Sequence, residues 1–353
     1  MARTAAILGG GIGGLAAAIH LHRHGWLVRV YERAPGPPVT GTALGLWPAA
    51  LRALDELGIG DEVRAAGRPQ TAGSFLRPDG TRIATIDVEG MRRHTGDPVY
   101  LLSRPRLLRL LAAALPDELV RFGTDAPDLA DLTGHDAVIA ADGIQSRTRA
   151  ALFGGRHRPR YLGRTAWRGT VDGDTGTTTE TWGEGARFGV TPQEAGRTNW
   201  FACLRAPEGE RHPGGEAAAL RRHFGHWHRG VRDVLDRLSE EQVLRHDLYQ
   251  LDPPLPSYVR GHAALIGDAA HAMTPDLGRG ACEALIDGVT VARRLVTTDR
   301  VTDALAGYDA ERRRATQRLA RASRAVNAMA HARRLLPVRD AGLRVALAVG
   351  SPA

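Results

Sequence analysis

A run of glycines near the start of the chain is the first feature with a chemical meaning. Residues 9–14 read Gly-Gly-Gly-Ile-Gly-Gly and satisfy the pattern G-x-G-x-x-G. The run stands between Thr4–Leu8, which predicts a short buried strand, and Leu15–His24, whose spacing predicts a helix. Glycine puts no side chain between a phosphate and the backbone N–H groups at a helix start. The arrangement therefore favours binding of a pyrophosphate.

An acidic residue follows at the position where a dinucleotide site needs one. Leu27–Tyr31 predicts the second strand of the unit, and Glu32 stands at its end. A carboxylate there can accept hydrogen bonds from both hydroxyls of an adenosine ribose. The same charge repels a 2′-phosphate, so FAD or NAD is expected at this site rather than NADP.

Two later segments carry further polar residues directly after predicted buried strands. Residues 142–149 read Asp-Gly-Ile-Gln-Ser-Arg-Thr-Arg and follow the predicted strand Ala137–Ala141. Residues 267–271 read Gly-Asp-Ala-Ala-His and follow a buried segment that starts at Ala263. A loop with further proline and glycine leads from there into a predicted helix that starts at Ala281.

In these three segments, taken in order, the sequence resembles the group A FAD-dependent monooxygenases. This is the family of para-hydroxybenzoate hydroxylase, urate hydroxylase and salicylate hydroxylase. The patterns DGxxSxxR at 142–149 and GDAAHxxxPxxGxG at 267–280 match its second and third fingerprints. The likeness extends over nearly the whole chain and includes the runs at 46–48, 161–163 and 167–169.

The resemblance implies an FAD-dependent enzyme that uses both NAD(P)H and O2 as co-substrates. It would hydroxylate or epoxidise a small aromatic or polyketide-like substrate through a flavin C4a-hydroperoxide. FAD would be held non-covalently, because no histidine or cysteine attachment motif is visible. An FAD-dependent reductase or oxidase without oxygenation and a non-catalytic flavin-binding protein remain open alternatives. A flavin-dependent halogenase is disfavoured, because the chain contains no lysine.

The resemblance also assigns roles to single residues. Asp268 would accept hydrogen bonds from the FAD ribityl chain, and Arg104 would contact the phosphates or the ribityl chain. Asp142 and Arg149 would be the two residues that the family uses near both the FAD pyrophosphate and the transiently bound NAD(P)H. The predicted FAD-binding residues are Gly9, Gly11, Ile12, Gly13, Gly14, Glu32, Arg33, Gly45, Arg104, Asp142, Arg149, Asp268, Leu277, Gly278, Gly280 and Ala281.

Candidates for the substrate pocket come from predicted strands and from the loop that would face the flavin. They are Phe188, Trp182, Trp200, Met273, Pro275 and Arg279. No catalytic nucleophile is expected, because the flavin performs the chemistry. Relatives commonly have glutamine at the position of Arg279 and asparagine at that of Asp276. A guanidinium close to the flavin would favour its reduced, anionic form.

The elements that must position these residues define an α/β fold. We predict a Rossmann-type, glutathione-reductase-like FAD domain, an inserted β-sheet substrate domain and C-terminal helices. The strand–helix–strand unit at 4–32 implies a parallel sheet. Four short segments between Thr165 and Leu204, rich in β-branched and aromatic residues, predict the inserted sheet. The predicted FAD domain comprises residues 1–70, 97–157 and 258–353, and the substrate domain comprises residues 71–96 and 158–257.

One connection departs from the family pattern. The family normally carries a β-meander over the adenosine half of FAD, between the strands that correspond to Leu119–Phe122 and Ala137–Ala141. Here residues 125–128 read Asp-Ala-Pro-Asp, which are poor strand formers. We therefore expect this cover to be truncated and FAD to be held less tightly.

Composition excludes several classes of protein. The formal net charge of +8 comes from arginine alone, and the arginines after Glu311 predict a solvated helix or a dimer contact rather than a DNA site. Cys203 and Cys282 fit no metal or CxxC pattern, and no apolar run reaches the roughly 20 residues of a membrane helix. We expect a soluble, cytoplasmic monomer or homodimer without nucleic-acid, membrane or metal partners.

Overall fold

Residues 4–32 form the strand–helix–strand unit predicted from the glycine run. Strands β1 (Thr4–Leu8) and β2 (Leu27–Glu32) pair in parallel, and helix α1 (Ile12–Arg23) connects them. The computed structural model describes residues 2–349. The outer ends of the predicted FAD domain, residue 1 and residues 350–353, lie outside the described residues.

Six strands form the nucleotide-binding sheet, in the order β15-β16-β9-β1-β2-β8. The strands added to β1 and β2 are β8 (Val120–Phe122), β9 (Ala137–Ala140), β15 (Val259–Arg260) and β16 (Ala263–Leu265). All neighbours are parallel except β15 and β16. The predicted fold class is thereby confirmed, and β16 returns to this sheet after a long insertion. The residue boundaries of the two domains stay a prediction.

The insertion contributes most of a seven-stranded sheet, in the order β14-β10-β13-β12-β11-β5-β6. Its strands are β5 (Gly73–Leu76), β6 (Arg82–Thr85), β10 (Arg158–Asp172), β11 (Thr178–Trp182), β12 (Ala186–Gln193), β13 (Arg197–Arg205) and β14 (Leu244–Asp252). A small sheet between the two large ones contains β3 (Ala43–Leu46), β4 (Arg68–Pro69) and β7 (Tyr100–Ser103).

Helices cover the sheets and form the C-terminal part of the chain. They are α2 (Pro48–Glu56), α3 (Gly60–Ala66), α4 (Val88–Thr95), α5 (Arg104–Ala113), α6 (Arg147–Phe153), α7 (Glu216–Phe224), α8 (Arg229–Leu235), α9 (Asp268–His271), α10 (Gly280–Thr297), α11 (Val301–Ala330) and α12 (Leu336–Val349). The helical segment at 216–235 is divided into α7 and α8. The chain leaves α7 at Gly225, and the His228 side chain accepts a hydrogen bond from the Gly230 N–H at the start of α8. No helix within residues 2–349 combines the length and the apolarity needed to cross a bilayer.

Helices α1 and α10 cross in direct backbone contact. A Cβ atom on Gly13 would lie 2.5 Å from the Ala284 carbonyl oxygen, and one on Gly288 would lie 2.2 Å from the Gly13 carbonyl oxygen. Any larger residue at either position would push the helices apart. The two glycines therefore fix the start of α10 relative to the glycine loop.

The two faces of the seven-stranded sheet have different partners. Trp167, Phe188 and Trp200 point to one face, where they form a core with α7 and α8. The alternate side chains, including Arg187 and Cys203, point to the other face, where they contact α11 and the loop before α10. This second face is termed the inner face.

Candidate active site

The glycine loop leaves the start of α1 open to a ligand. Gly9 has φ +113°, and a Cβ there would lie 2.3 Å from the Ala141 carbonyl oxygen, so only glycine fits. A Cβ on Gly11, by contrast, would have no atom within 4 Å. Helix α1 has no side-chain cap at its start. Its first N–H groups, at Ile12, Gly13 and Gly14, are therefore available to a pyrophosphate.

Glu32 is fixed at the end of β2 by two backbone groups. Its Oε2 atom accepts a hydrogen bond from Gly10 N–H, and its Oε1 atom accepts one from Ala34 N–H, both at 2.8 Å. A carboxylate oxygen has more than one acceptor site, so both oxygens can still accept from ribose hydroxyls. Arg33 next to it is exposed.

Asp268 lies at the same edge of the sheet as the glycine loop. Strands β16, β9 and β1 are adjacent and parallel, so their carboxyl ends meet at one edge. Gly267 has φ +58° and makes the sharp turn out of β16. Asp268 is exposed, and its carboxylate has no hydrogen-bond partner within residues 2–349. The side chain is therefore free to accept hydrogen bonds from a polar ligand.

The Arg149 side chain makes no hydrogen bond or ion pair with Asp142 within residues 2–349. Its buried guanidinium donates to the carbonyl oxygens of Ile144 (2.7 Å), His157 (3.0 Å) and Ala269 (3.1 Å). Asp142 instead accepts from the N–H and the hydroxyl of Thr148, at 3.0 and 2.9 Å. Arg149 thus holds together the backbones of the second and third fingerprints, and its place near the nucleotides stays a prediction.

The start of α10 has the same open character as the start of α1. Gly278 is left-handed with φ +61°, and Cβ atoms on Gly278 and Gly280 would meet no atom closer than 3.9 Å. Helix α10 has no side-chain cap, which leaves the Gly280 and Ala281 N–H groups available. Gly45 is held beside this helix, because its carbonyl oxygen accepts from the Cys282 thiol at 3.2 Å. Leu277 is half-buried, and Arg104 is exposed at the start of α5.

These residues fit an extended dinucleotide such as FAD. The starts of α1 and α10 are uncapped, and glycines leave the backbone beside each of them accessible, so their N–H groups can donate to phosphates. The carboxylates after β2 and β16 can accept hydrogen bonds from ribose and ribityl hydroxyls.

A buried ion pair that the sequence analysis missed joins the inner face to the loop before α10. Arg187 lies 2.7 Å from Asp276 and 3.0 Å from Glu180, and Asp276 also accepts from the Asn327 side-chain amide at 3.0 Å. Burial would lower the pKa of Arg187, but Asp276 and Glu180 raise it above its ordinary value, so the guanidinium stays charged. The Nε atom of Arg187 and the Oδ2 atom of Asp276 are buried without a hydrogen-bond partner within residues 2–349.

The structure places Phe188 and Trp200 on the wrong side of the sheet for a flavin-facing pocket. Both are fully buried and stack at 5.8 Å in the core formed with α7. Trp182 is on the inner face, but it packs against Phe75, and the Arg339 guanidinium lies over its ring in a cation–π contact. These three pocket predictions are corrected. Successive strand residues point to opposite faces, and the apolar residues of β12 and β13 belong to the helix-covered one.

The loop candidates occupy the expected place between α9 and α10. Met273 is half-buried, and Pro275 is exposed. Arg279 lies 5.2 Å over the Trp47 ring and 3.1 Å from Glu283. Because Glu283 compensates its charge, Arg279 contributes less to the stability of a reduced flavin than an isolated guanidinium would.

A fully buried charge network supports the turn at Gly267. Asp287 accepts from Gly267 N–H at 2.9 Å and lies 2.5 Å from His271 Nε2 and 2.6 Å from Arg312 Nε. Burial would raise the pKa of Asp287, but His271 and Arg312 lower it to about 2. His271 therefore has a structural partner, and Arg312 of α11 is tied to α10.

Both cysteines are buried and free. Burial raises the pKa of each thiol to about 11, so both are neutral and poorly reactive.

Comparison with known proteins agrees with this geometry. The sequence model of the family described as FAD binding domain matches residues 2–137 and 133–323. Aurachin C monooxygenase/isomerase of Stigmatella aurantiaca is 36% identical over 327 residues, 88% of this chain and 85% of that protein. An FAD-dependent urate hydroxylase of Klebsiella pneumoniae is 30% identical over 330 residues, 87% of this chain and 85% of that protein. The crystal structure of Klebsiella pneumoniae HpxO with FAD and uric acid superimposes with a TM-score of 0.89 at 28% identity, covering 97% of this chain and 93% of that one.

The fold and the site therefore define an FAD-binding oxidoreductase with a Rossmann-type domain. The chain belongs to the group A FAD-dependent monooxygenases. The predicted family, cofactor and enzyme class are confirmed, and NAD(P)H is the co-substrate typical of this family.

Proposed function

We propose that this monooxygenase uses NAD(P)H and O2 to hydroxylate or epoxidise a small, electron-rich aromatic or polyketide-like substrate. The observation that carries the proposal is the unsatisfied donor and acceptor of the Arg187–Asp276 pair, next to the open start of α10. The names of relatives support it, since they include a urate hydroxylase and a 3-amino-4-hydroxybenzoate 2-monooxygenase of Streptomyces cremeus, the latter 34% identical over 308 residues.

In this proposal the predicted cofactor residues hold FAD along one edge of the six-stranded sheet. The N–H groups at the start of α1 receive the pyrophosphate, Glu32 accepts from the ribose, and Asp268 accepts from the ribityl chain. Arg104, exposed at the start of α5, would contact the phosphates or the ribityl chain. Bound FAD supplies hydride uptake from NAD(P)H and activation of O2.

The substrate would lie between the inner face and the loop at 273–279. Arg187 Nε can donate a hydrogen bond and Asp276 Oδ2 can accept one, so together they match a ring that carries an OH or NH group beside an acceptor. Asp276 can also take up the proton of a phenol-like group, which makes a ring more electron-rich. Buried Arg187 and Asp276 keep this geometry because each is fixed by a second partner, Glu180 and Asn327.

The test is a screen of phenols, heteroaromatic compounds and polyketide-like compounds for stimulated NAD(P)H oxidation by the FAD-loaded enzyme. Asp276→Asn keeps the side-chain volume but removes the charge, and it should lower the stimulated rate at least tenfold with unchanged FAD content. Asp303→Asn, at an exposed position of α11, is the matched control and should leave the rate unchanged. A stimulated rate that Asp276→Asn leaves intact would contradict the role of this pair.

We also propose that the protein acts in the cytoplasm as a monomer or homodimer. Two buried, neutral thiols and no disulfide within residues 2–349 agree with a reducing compartment. Size-exclusion chromatography with light scattering measures the oligomeric state directly.

A further inference from the structure

A cavity lies at one end of the seven-stranded sheet, where β12 begins and β13 ends. Its volume is about 590 Å³, within the range of small-molecule sites. The start of β12, the end of β13, the α7–α8 connection and the chain after α11 form its walls. None of its lining residues belongs to the glycine loop, the segment at 142–149 or the segment at 267–281. The cavity is thus a compartment separate from the FAD site.

Basic side chains dominate its wall. They are three arginines, Arg164, Arg205 and Arg333, and three histidines, His223, His226 and His331. Glu184 is the one lining carboxylate, and it lies 3.6 Å from Arg333. Within residues 2–349, Arg164 and Arg205 have no carboxylate within salt-bridge distance, so two guanidinium charges at this cavity are uncompensated.

The half-buried position of Arg164 makes its lack of a partner significant. Burial is the main cause that lowers the pKa of Arg164, and the positive charges of Arg205 and Arg187 lower it further, against the opposing effects of Cys203 and Asp276. A guanidinium that has lost water and faces other guanidinium groups is stabilised by an anion. Its hydrogen bond within the chain, to the Leu162 carbonyl oxygen at 3.5 Å, is too long to satisfy it.

The remaining wall of the cavity is apolar. Trp227, Leu204 and Pro78 line it, and the Trp227 ring belongs to the core under α7 and α8. A ligand that matches both parts of the wall carries one negative group and a flat or apolar body. A carboxylate suits the two arginines, because guanidinium groups bind carboxylates through parallel hydrogen bonds.

We propose that this cavity binds a small organic carboxylate, with Arg164 and Arg205 on the carboxylate and Trp227 and Leu204 against the apolar body. This site is distinct from the FAD site. It adjoins the substrate position proposed between the inner face and the loop at 273–279, because His331, which lines the cavity, lies 3.2 Å from Cys203 of the inner face. The proposal does not depend on turnover, because it concerns binding alone.

The test is calorimetric titration of the FAD-loaded enzyme, without NAD(P)H, with 2-naphthoate and with the neutral analogue 2-naphthalenemethanol. We expect 2-naphthoate to bind, and Arg164→Gln and Arg205→Gln each to weaken it at least tenfold, which corresponds to about 1.4 kcal/mol. Arg164→Lys should recover part of the affinity, because it keeps the charge without the forked geometry. The neutral analogue should bind at least tenfold more weakly than the acid.

Arg318→Gln is the matched control. It removes the same charge from an exposed position of α11 outside the cavity, and it should leave the affinity unchanged. FAD content and melting temperature identify misfolded variants. If Arg164→Gln does not fold, Arg205→Gln is measured instead, because Arg205 is exposed. Absent binding of 2-naphthoate, equal binding of the neutral analogue, or affinity that both arginine variants leave intact would each overturn the proposal. None of these results bears on whether the enzyme oxygenates a substrate.

Discussion

The residues that the sequence identified most directly are those that act through the backbone next to them in the chain. The glycine loop, Glu32 and Asp268 are fixed by local strand–turn–helix geometry, and all of them lie at the same edge of the six-stranded sheet. Arg149 is different, because its carbonyl partners include two that are more than a hundred residues away, at Asp268 and Ala269. Spacing alone does not reveal whether an arginine faces a ligand or the backbone.

Asp268 offers the clearest test at this scale. Asp268→Ala should weaken FAD binding by about 1.5–3 kcal/mol, the typical value of a hydrogen bond to a charged group. The affinity is measured by fluorescence titration of the apoprotein with FAD. Asp299→Ala, at an exposed position between α10 and α11, serves as the control. Equal affinity in Asp268→Ala and wild type would remove Asp268 from the FAD site.

The state of the cysteines bears on how FAD is attached. Both thiols are buried, and burial raises their pKa to about 11, so neither is an activated nucleophile. Acid precipitation of the holoenzyme should therefore release all of the yellow colour into the supernatant. Flavin absorbance that stays in the washed pellet would show a covalent link.

At the scale of elements, the buried network of α9, α10 and α11 holds the turn that presents Asp268. Asp287→Asn removes a charge that compensates both Arg312 and His271, and it should destabilise the protein by about 3–5 kcal/mol in denaturant unfolding. The exposed pair of Asp303 and Arg300 is the comparison, and Asp303→Asn should cost less than about 1 kcal/mol. Similar losses in both variants would contradict a special role for the network.

The pH dependence of this network follows from the lowered pKa of Asp287. Its pKa in the folded protein is about 2, below the ordinary 3.8. The unfolded chain therefore takes up the proton first as the pH falls, and the contribution of Asp287 is complete above about pH 4 and lost towards pH 2. Acid unfolding of wild type should show this loss, and Asp287→Asn should lack it.

The connection between β8 and β9 was predicted to lack the cover that relatives place over adenosine. The structure has a single short 3-10 turn there, Leu129–Leu132, and no strand between Gly123 and Asp136. With little cover over the adenosine half, FAD should dissociate readily, and dialysis against FAD-free buffer should yield apoprotein. Full retention of FAD after exhaustive dialysis would contradict this expectation.

In the seven-stranded sheet, the strands could be predicted from the sequence, but the face to which each side chain points could not. The β-rich stretch and its approximate bounds were predictable from β-branched and aromatic residues, but its faces were not. Large aromatic residues suggested a pocket, whereas Phe188 and Trp200 fill the core under α7 and α8. The helices that cover one face come from elsewhere in the chain, so local alternation cannot say which face is covered.

At the scale of the whole molecule, the proposed substrate position lies where elements from distant parts of the chain meet. Asn199 of β13 accepts from Ala43 N–H at 3.0 Å, and Glu194 accepts from Ser103 N–H at 3.1 Å. Arg187 and Asp276 add a buried ion pair between such elements. Such long-range pairs depend on the assembled fold, which is why the sequence motifs could not identify Arg187 as the partner of Asp276.

The central claim is that this chain is an FAD-dependent monooxygenase, and oxygen labelling tests it most directly. A compound that stimulates NAD(P)H oxidation is incubated with the FAD-loaded enzyme under 18O2, and the products are analysed by mass spectrometry. The account predicts a product that carries one 18O atom, with NAD(P)H consumed in at least equal amount. Stimulated NAD(P)H oxidation that yields hydrogen peroxide alone, with no 18O in any organic product, would contradict it and identify a reductase or oxidase instead.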